Sequence, residues 1–336
     1  MLPEQLGFGK TMIPILYRAV CDGGEWISRE VLPYGPIQLD PAARVLHYSQ
    51  EIFEGMKAYA HDDGAAYLFR PHDNGLRLNQ SARRLCMPEI PQALFMQSLE
   101  QITVLARRYI PRGRNQSLYL RPFMIGVDPL LSLGASARHE YYVIASPSEI
   151  YHQGSMKVMV ESDECRAAVG GTGAVKVGGN YAAAMASAER VQRGGYDQSL
   201  WLDPRERRYI EELSGMNLFF IMDGELNTPE LSGSILPGIT RDSLIQLAQR
   251  QGLVVRKRKI AIDEVKASLK AGRCTEIFAC GTATVVSSIS ELAFAEDDCC
   301  QLPAGTPVAE SLREALVNIQ LGLDEDRYGW MHRVVA

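Results

Sequence analysis

The sequence has no long apolar run, no large excess of one charge and no paired-cysteine pattern, and each absence removes a class of protein. Its densest apolar stretch, Leu218-Phe-Phe-Ile-Met222, falls far short of the ~18 consecutive apolar residues that a membrane helix needs. Counting 35 basic against 40 acidic residues gives a net charge of −5. That balance argues against nucleic acid or a membrane surface as the main partner. The one basic cluster, Arg256-Lys-Arg-Lys259, has no interleaved aromatic and reads as a solvated edge strand. Seven cysteines, none at CxxC spacing, and six scattered histidines give no disulfide framework and no expected metal site. A GxSxG elbow is also missing, which removes the usual serine hydrolase. The N-terminus lacks a basic start, and Pro14 interrupts its apolar segment. The expected compartment is therefore the cytoplasm.

What is present is an ordinary globular composition: 336 residues, 46% hydrophobic and 22% charged, enough for two medium domains. Helical patterns are expected at about Asn74 to Leu85, with Asp73 as N-cap, and from Ala93 to Tyr109, with strands at Ser117 to Val127 and Tyr141 to Ala145. Residues 146–155 have turn composition and read as a linker between a smaller N-terminal domain, 1–145, and a larger strand-rich domain, 156–336. In the second half, strands at Met156 to Glu161, Ser199 to Asp203, Leu218 to Met222 and Glu276 to Cys280 are punctuated by helices. Those are expected near Tyr181 to Gln192, Arg241 to Arg250, Asp263 to Ala271 and Val308 to Leu321. The pattern is α+β.

The most unusual segment is Val169-Gly-Gly-Thr-Gly-Ala-Val-Lys176-Val-Gly-Gly-Asn-Tyr181, five glycines around one lysine. It is no phosphate-binding P-loop, because Val175 and Val177 stand where that motif needs Gly and Ser or Thr. A desolvated lysine is a nucleophile of the Schiff-base kind, and glycines let backbone approach a planar ring closely. On this segment alone, an exposed lysine in a glycine-rich hairpin is an equal reading. Glu211 and Glu212 are adjacent in a predicted strand, whose period of two sends them to opposite faces, so one must point inward. A buried carboxylate needs a cationic partner, which the protonated ring nitrogen of pyridoxal phosphate would be. Leu236-Pro-Gly-Ile-Thr240 opens a helix, and Gly281-Thr-Ala-Thr284 is a small-residue turn; both offer amides and hydroxyls to an anion. Tyr119 and Arg121 share a strand face with Phe123, a group suited to a small carboxylate.

In this order these segments resemble the branched-chain amino acid aminotransferases, fold-type IV pyridoxal-phosphate enzymes, over nearly the whole chain. The likeness includes Leu46-His-Tyr-Ser-Gln-Glu-Ile-Phe-Glu-Gly-Met-Lys-Ala-Tyr59, the helix Arg77 to Arg84, Tyr119-Leu-Arg-Pro122, Gly173 to Tyr181, Tyr209 to Asn217, Leu236 to Arg241, Gly281-Thr-Ala283 and Gly329-Trp-Met-His332. The resemblance implies a two-domain fold and pyridoxal 5′-phosphate as cofactor. By it, Lys176 carries the cofactor and shuttles a proton, Glu212 pairs with the ring nitrogen and Tyr181 with the ring oxygen. Arg77, Ile239, Thr240 and Thr282 hold the phosphate. Tyr119, Arg121, Thr282 and Ala283 receive the substrate carboxylate, and Tyr48 and Phe53 line the side-chain pocket. It further implies a homodimer or higher homo-oligomer, with a loop near Leu131-Ser132-Leu133 completing a neighbour's site.

The expected reaction is transamination between L-leucine, L-isoleucine or L-valine and 2-oxoglutarate. Alternatives are a specialised paralogue acting on another amino acid, a lyase resembling aminodeoxychorismate lyase, and a non-catalytic vitamin-B6-binding protein, which an intact Lys176 disfavours. Ser132 and Leu133 replace a smaller pair usual in the family, and Glu149 stands in the expected linker; both bear on side-chain preference. Thr284 and Ser287 occupy positions where animal members carry a redox cysteine pair, so no such switch is expected.

Overall fold

A computed structural model describes residues 6–150, 154–295 and 297–335. The chain divides into two compact units. The first takes its residues from Met1–Tyr151, Val175–Gly178 and Asn318–Ala336, the second from His152–Ala174 and Gly179–Val317. This corrects the expected split at a 146–155 linker followed by one C-terminal domain. Strand Arg138–Glu149 takes in residues 146–149, the first part of the stretch read as linker, with Pro147 opposite Leu118 and Glu149 opposite Gln116. Turn-rich composition yields there to pairing with a long partner strand. Tyr151, His152 and Gln153 lie outside the described residues.

The first unit is built on an antiparallel sheet. Its strands run in the order Met331–Val334, Ala66–Phe69, Met56–Ala60, Gln116–Gly126, Arg138–Glu149, Ile15–Asp22 and Glu25–Pro33, and Glu51–Phe53 also pairs with Gln116–Gly126. The final strand joins this sheet by pairing with Ala66–Phe69. Helices Pro71–Arg84 and Gln92–Leu105 bury Leu78, Ala82, Leu94, Phe95 and Leu99 against the sheet residues Tyr17, Met56, Leu68 and Tyr141. The first helix starts earlier than expected because Pro71, with its fixed φ, takes the first helical position. Asp73 is thus inside the helix, bonded to Arg70 Nε at 2.6 Å.

The second unit carries a mixed sheet in the order Ile210–Leu213, Gln198–Leu202, Met156–Glu161, Val285–Ala295, Cys274–Gly281, Asn217–Met222, Glu225–Pro229 and Val255–Arg258. Asn217–Met222 is buried at every position, as its unbroken apolar text requires of a strand covered on both faces. Val255–Arg258 is the edge strand expected of the basic cluster, its Arg256 paired with Glu225 and Arg258 with Glu264. The helix expected over Tyr181 to Gln192 is two pieces, Gly178–Ala182 and Met185–Arg193. Among the described residues, no helix is long and apolar enough to cross a membrane, and no group of three or more His, Cys, Asp or Glu could hold a metal ion.

Candidate active site

In the first unit, Phe53 is the centre of the arrangement. It stands opposite Phe123 in the antiparallel register, so Glu51, Phe53, Tyr119, Arg121 and Phe123 share one sheet face. The Arg121 guanidinium carbon lies 4.6 Å from the Phe53 ring centroid and the Lys176 Nζ 4.7 Å from it. Each distance is within the range of a cation–π attraction. Arg121 Nη2 donates to the Tyr119 hydroxyl at 2.9 Å. A Cβ on Gly55 would collide with that hydroxyl, which explains the small residue two places after Phe53. Lys176 is held by its backbone: its N–H donates to Ser81 Oγ at 2.9 Å, its carbonyl accepts from Phe53 N–H at 3.1 Å, and Val177 bridges Ile52. The lysine is half-buried and directly follows a turn; it is not in a hairpin.

Arg77 is buried and forked onto Glu54, Nε to Oε1 at 2.6 Å and Nη2 to Oε2 at 2.9 Å. Glu54 has no exposed surface. Such a pair is costly to break from one side, because the remaining charge stays buried. Tyr48 is 40% exposed, and its hydroxyl donates to the Leu131 carbonyl. Glu149 accepts from Gln116 Nε2 at 3.0 Å, its opposite number in the sheet.

In the second unit, Ile210–Leu213 is buried throughout, so both of the adjacent acids are buried where the strand pattern required one. They do face apart. Glu212 is paired with Arg166 and accepts from Leu236 N–H at 3.0 Å and Asn217 Nδ2 at 2.9 Å. Arg166 also donates to the Ser234 carbonyl at 2.7 Å. Glu211 instead accepts from Ser234 Oγ and lines a cavity of about 520 Å³ with Tyr209, Ser232, Ile235 and Lys259. Burial pushes the Glu211 carboxyl above the ordinary carboxylate range, against the lowering pull of Ser234 and Arg166. Tyr181 sits 4.0 Å from the place of a Cβ on Gly215.

Helix Ile239–Arg250 opens at Gly238 without any side-chain cap, and Thr240 in its first turn is buried. A helix start of this kind turns its positive end and first-turn amides toward an anion. Thr282 and Ala283 form the turn between strands Cys274–Gly281 and Val285–Ala295, and Gly281 lies against Gly215 and Met216. All seven cysteines are free; burial pushes the Cys280 thiol beside this turn up to about 12. Thr284 and Ser287 are both buried, and Ser287 Oγ donates to the Gly154 carbonyl at 3.1 Å.

Three residues escaped the sequence reading: Glu54, Arg166 and Glu51. Glu54 follows Phe53 directly, and Arg166 stands just before the glycine-rich run. Glu51 and Glu54 flank Ile52-Phe53 and Arg166 follows Asp163 and Glu164, so no local pattern set any of them apart from ordinary surface charge.

Residues 51–292 match the Amino-transferase class IV family. The chain is 47% identical to the branched-chain-amino-acid aminotransferase of Mycolicibacterium smegmatis, over 98% of this chain and 92% of that one. Among solved structures it is similar to the branched-chain amino acid aminotransferase from Escherichia coli, at 26% identity and a TM-score of 0.74, covering 95% of this chain and 100% of that one. It is equally similar to a T.th. branched-chain amino acid aminotransferase complexed with N-(5′-phosphopyridoxyl)-L-glutamate, at 26% identity and a TM-score of 0.74, covering 94% of this chain and 98% of that one.

Proposed function

Because this chain belongs to the class IV amino-transferases, and within them to the branched-chain-amino-acid aminotransferases, we propose that it moves the amino group of L-leucine, L-isoleucine or L-valine to 2-oxoglutarate. The single observation that carries this reading is Phe53 with an amine, Lys176, and a guanidinium, Arg121, both against its ring. An amino acid offers one group for each: an amine to be exchanged and a carboxylate to be held.

The cofactor is pyridoxal 5′-phosphate, which when bound supplies a ring that accepts the electron pair released at the substrate's Cα. The chain's residues fit it. Glu212 is a buried carboxylate fixed by three donors, suited to the ring nitrogen, and the uncapped start of helix Ile239–Arg250 suits the phosphate. In this reading Lys176 holds the cofactor covalently and, once released, carries a proton on Nζ to and from the substrate's Cα. Tyr181 hydrogen-bonds the ring oxygen. Ile239, Thr240, Thr282 and Arg77 bind the phosphate, Arg77 being oriented by Glu54. Tyr119, Arg121, Thr282 and Ala283 hold the carboxylate; Phe53 and Tyr48 border the side-chain space and keep water from it.

Reduction with borohydride followed by peptide mass spectrometry should find the cofactor fixed on Lys176. Lys176→Ala should keep the cofactor noncovalently and lose transamination with every donor in a leucine, isoleucine, valine and glutamate panel. An adduct on another lysine would overturn the assignment. A homo-oligomer is supported by Leu130, Leu131 and Leu133, which are 50%, 62% and 86% exposed in a single chain and are apolar beyond what a loop in water needs. A cytoplasmic location is supported by seven unpaired cysteines.

A further inference from the structure

None of the residues given a role in transamination lines the cavity of about 520 Å³ in the second unit, whose size falls within the ~300–1,000 Å³ usual for small-molecule sites. Glu211 forms part of its inner wall, since that side chain lines the cavity while only 4% exposed. Ser232 Oγ donates to Glu211 Oε1 at 3.4 Å, and Ser234 Oγ donates to the same oxygen. Both hydroxyls thus serve one oxygen. Among the described residues Oε2 accepts no bond, yet it is not sealed from the cavity.

We infer that this cavity is a binding site for an organic ammonium ion on a short apolar body, its N–H donating to Glu211 Oε2. A buried carboxylate served only by neutral donors lacks the cation that would offset its desolvation. The Arg166 charge that reaches Glu211 is already paired with Glu212. An ammonium supplies the missing charge and a donor together.

The rest of the lining fits a cation with an apolar body. Ile235 is buried, and Pro204 and Pro229 add apolar wall that has no N–H to satisfy. Of the charged residues around the cavity, four are acids, Asp203, Glu206, Glu211 and Glu230, and two are bases, Arg205 and Lys259. The field inside therefore favours a positive ligand. Asp203 is spent on its own loop, accepting from the N–H groups of Glu206, Arg208 and Tyr209. Lys259 is exposed, with Nζ 5.0 Å from the Tyr209 ring centroid. A carboxylate or phosphate could meet that lysine at the rim, but it would face Glu211 within.

The probe is N,N-dimethylisopentylamine, a tertiary amine that is protonated at neutral pH, keeps one N–H to donate and cannot form a Schiff base in the transamination site. Isothermal titration into the holoenzyme should show saturable binding, about tenfold or more tighter than that of the neutral isopentanol. Glu211→Gln keeps an oxygen for the two serines but places an amide NH2 where Oε2 was, so binding should weaken by about tenfold or more. Lys259→Gln removes a like charge from an exposed position and should tighten binding about two- to threefold. A parent that binds no probe, an equal affinity for isopentanol, or a Glu211→Gln variant within about twofold of the parent overturns the inference. Should Glu211→Gln fail to fold, Lys259→Gln decides alone, and an unchanged affinity there counts against the site.

Discussion

Glu211 and Glu212 are neighbours in sequence with opposite chemical situations. Glu212 is surrounded by donors, and Glu211 meets two serines and a cavity. Replacing Glu212 by Gln should weaken cofactor binding by roughly 1.5–3 kcal/mol, the worth of a charge-assisted hydrogen bond, as measured by cofactor titration. Glu211→Gln should act on stability instead. Its carboxyl is raised on folding, so as pH climbs past the ordinary carboxylate range the unfolded chain gives up its proton first and the folded state loses stability. Thermal unfolding across pH should therefore show Glu211→Gln above the parent at neutral pH and level with it in acid. His139 works in the opposite direction. It is 2% exposed, and burial pushes it down to about 4 against the opposing pull of Asp128 and the Ala137 backbone. Unfolded histidine titrates near ~6.5, so stability should drop as pH falls from that value toward 4. His139→Phe should flatten that limb of the stability profile; an unchanged slope would count against the assignment.

At the level of elements, text with a strong period was legible and text whose structure depends on distant partners was not. Strand Asn217–Met222 and helix Ile239–Arg250 follow directly from an apolar run and from Pro-Gly before a helical pattern. The far end of strand Arg138–Glu149 was hidden because Ser-Pro-Ser-Glu reads locally as a turn, and only the register with Gln116–Gly126 makes it extended. Residue type and family likeness singled out Phe53, Tyr119, Arg121 and Lys176, which the structure brings together. What could not be read were the partners that fix it, Glu54 for Arg77 and Arg166 for Glu212, each far away in sequence. Gly238 shows how an element start and a site residue are tied. A Cβ there would strike Asn217 Oδ1, and Asn217 in turn donates to Glu212. Gly238→Ala should cost ~1–3 kcal/mol through this overpacking, visible in denaturant unfolding, and should loosen cofactor binding as well. A variant with parental stability and parental cofactor affinity would mean that Asn217 moves aside freely.

For the whole molecule, the consequential feature is the last strand. Met331–Val334 pairs with Ala66–Phe69 across most of the chain's length, and Val175–Gly178 also belongs to the first unit. The order of manufacture is therefore not the order of completion. Domains generally fold as they emerge from the ribosome, N-terminal part first, yet here the first unit stays open on one side until residues 331–334 are synthesised, with Ala66–Phe69 as a bare edge that invites pairing with another chain. Ribosome-bound chains arrested before residue 330 should leave the first unit sensitive to protease, and a chain ending at Trp330 should accumulate as aggregate even with every residue assigned to chemistry present. If that truncated chain were soluble and as heat-resistant as the parent, the closing strand would be an ornament; otherwise, translation must pass residue 334 before the half that carries Lys176 is whole.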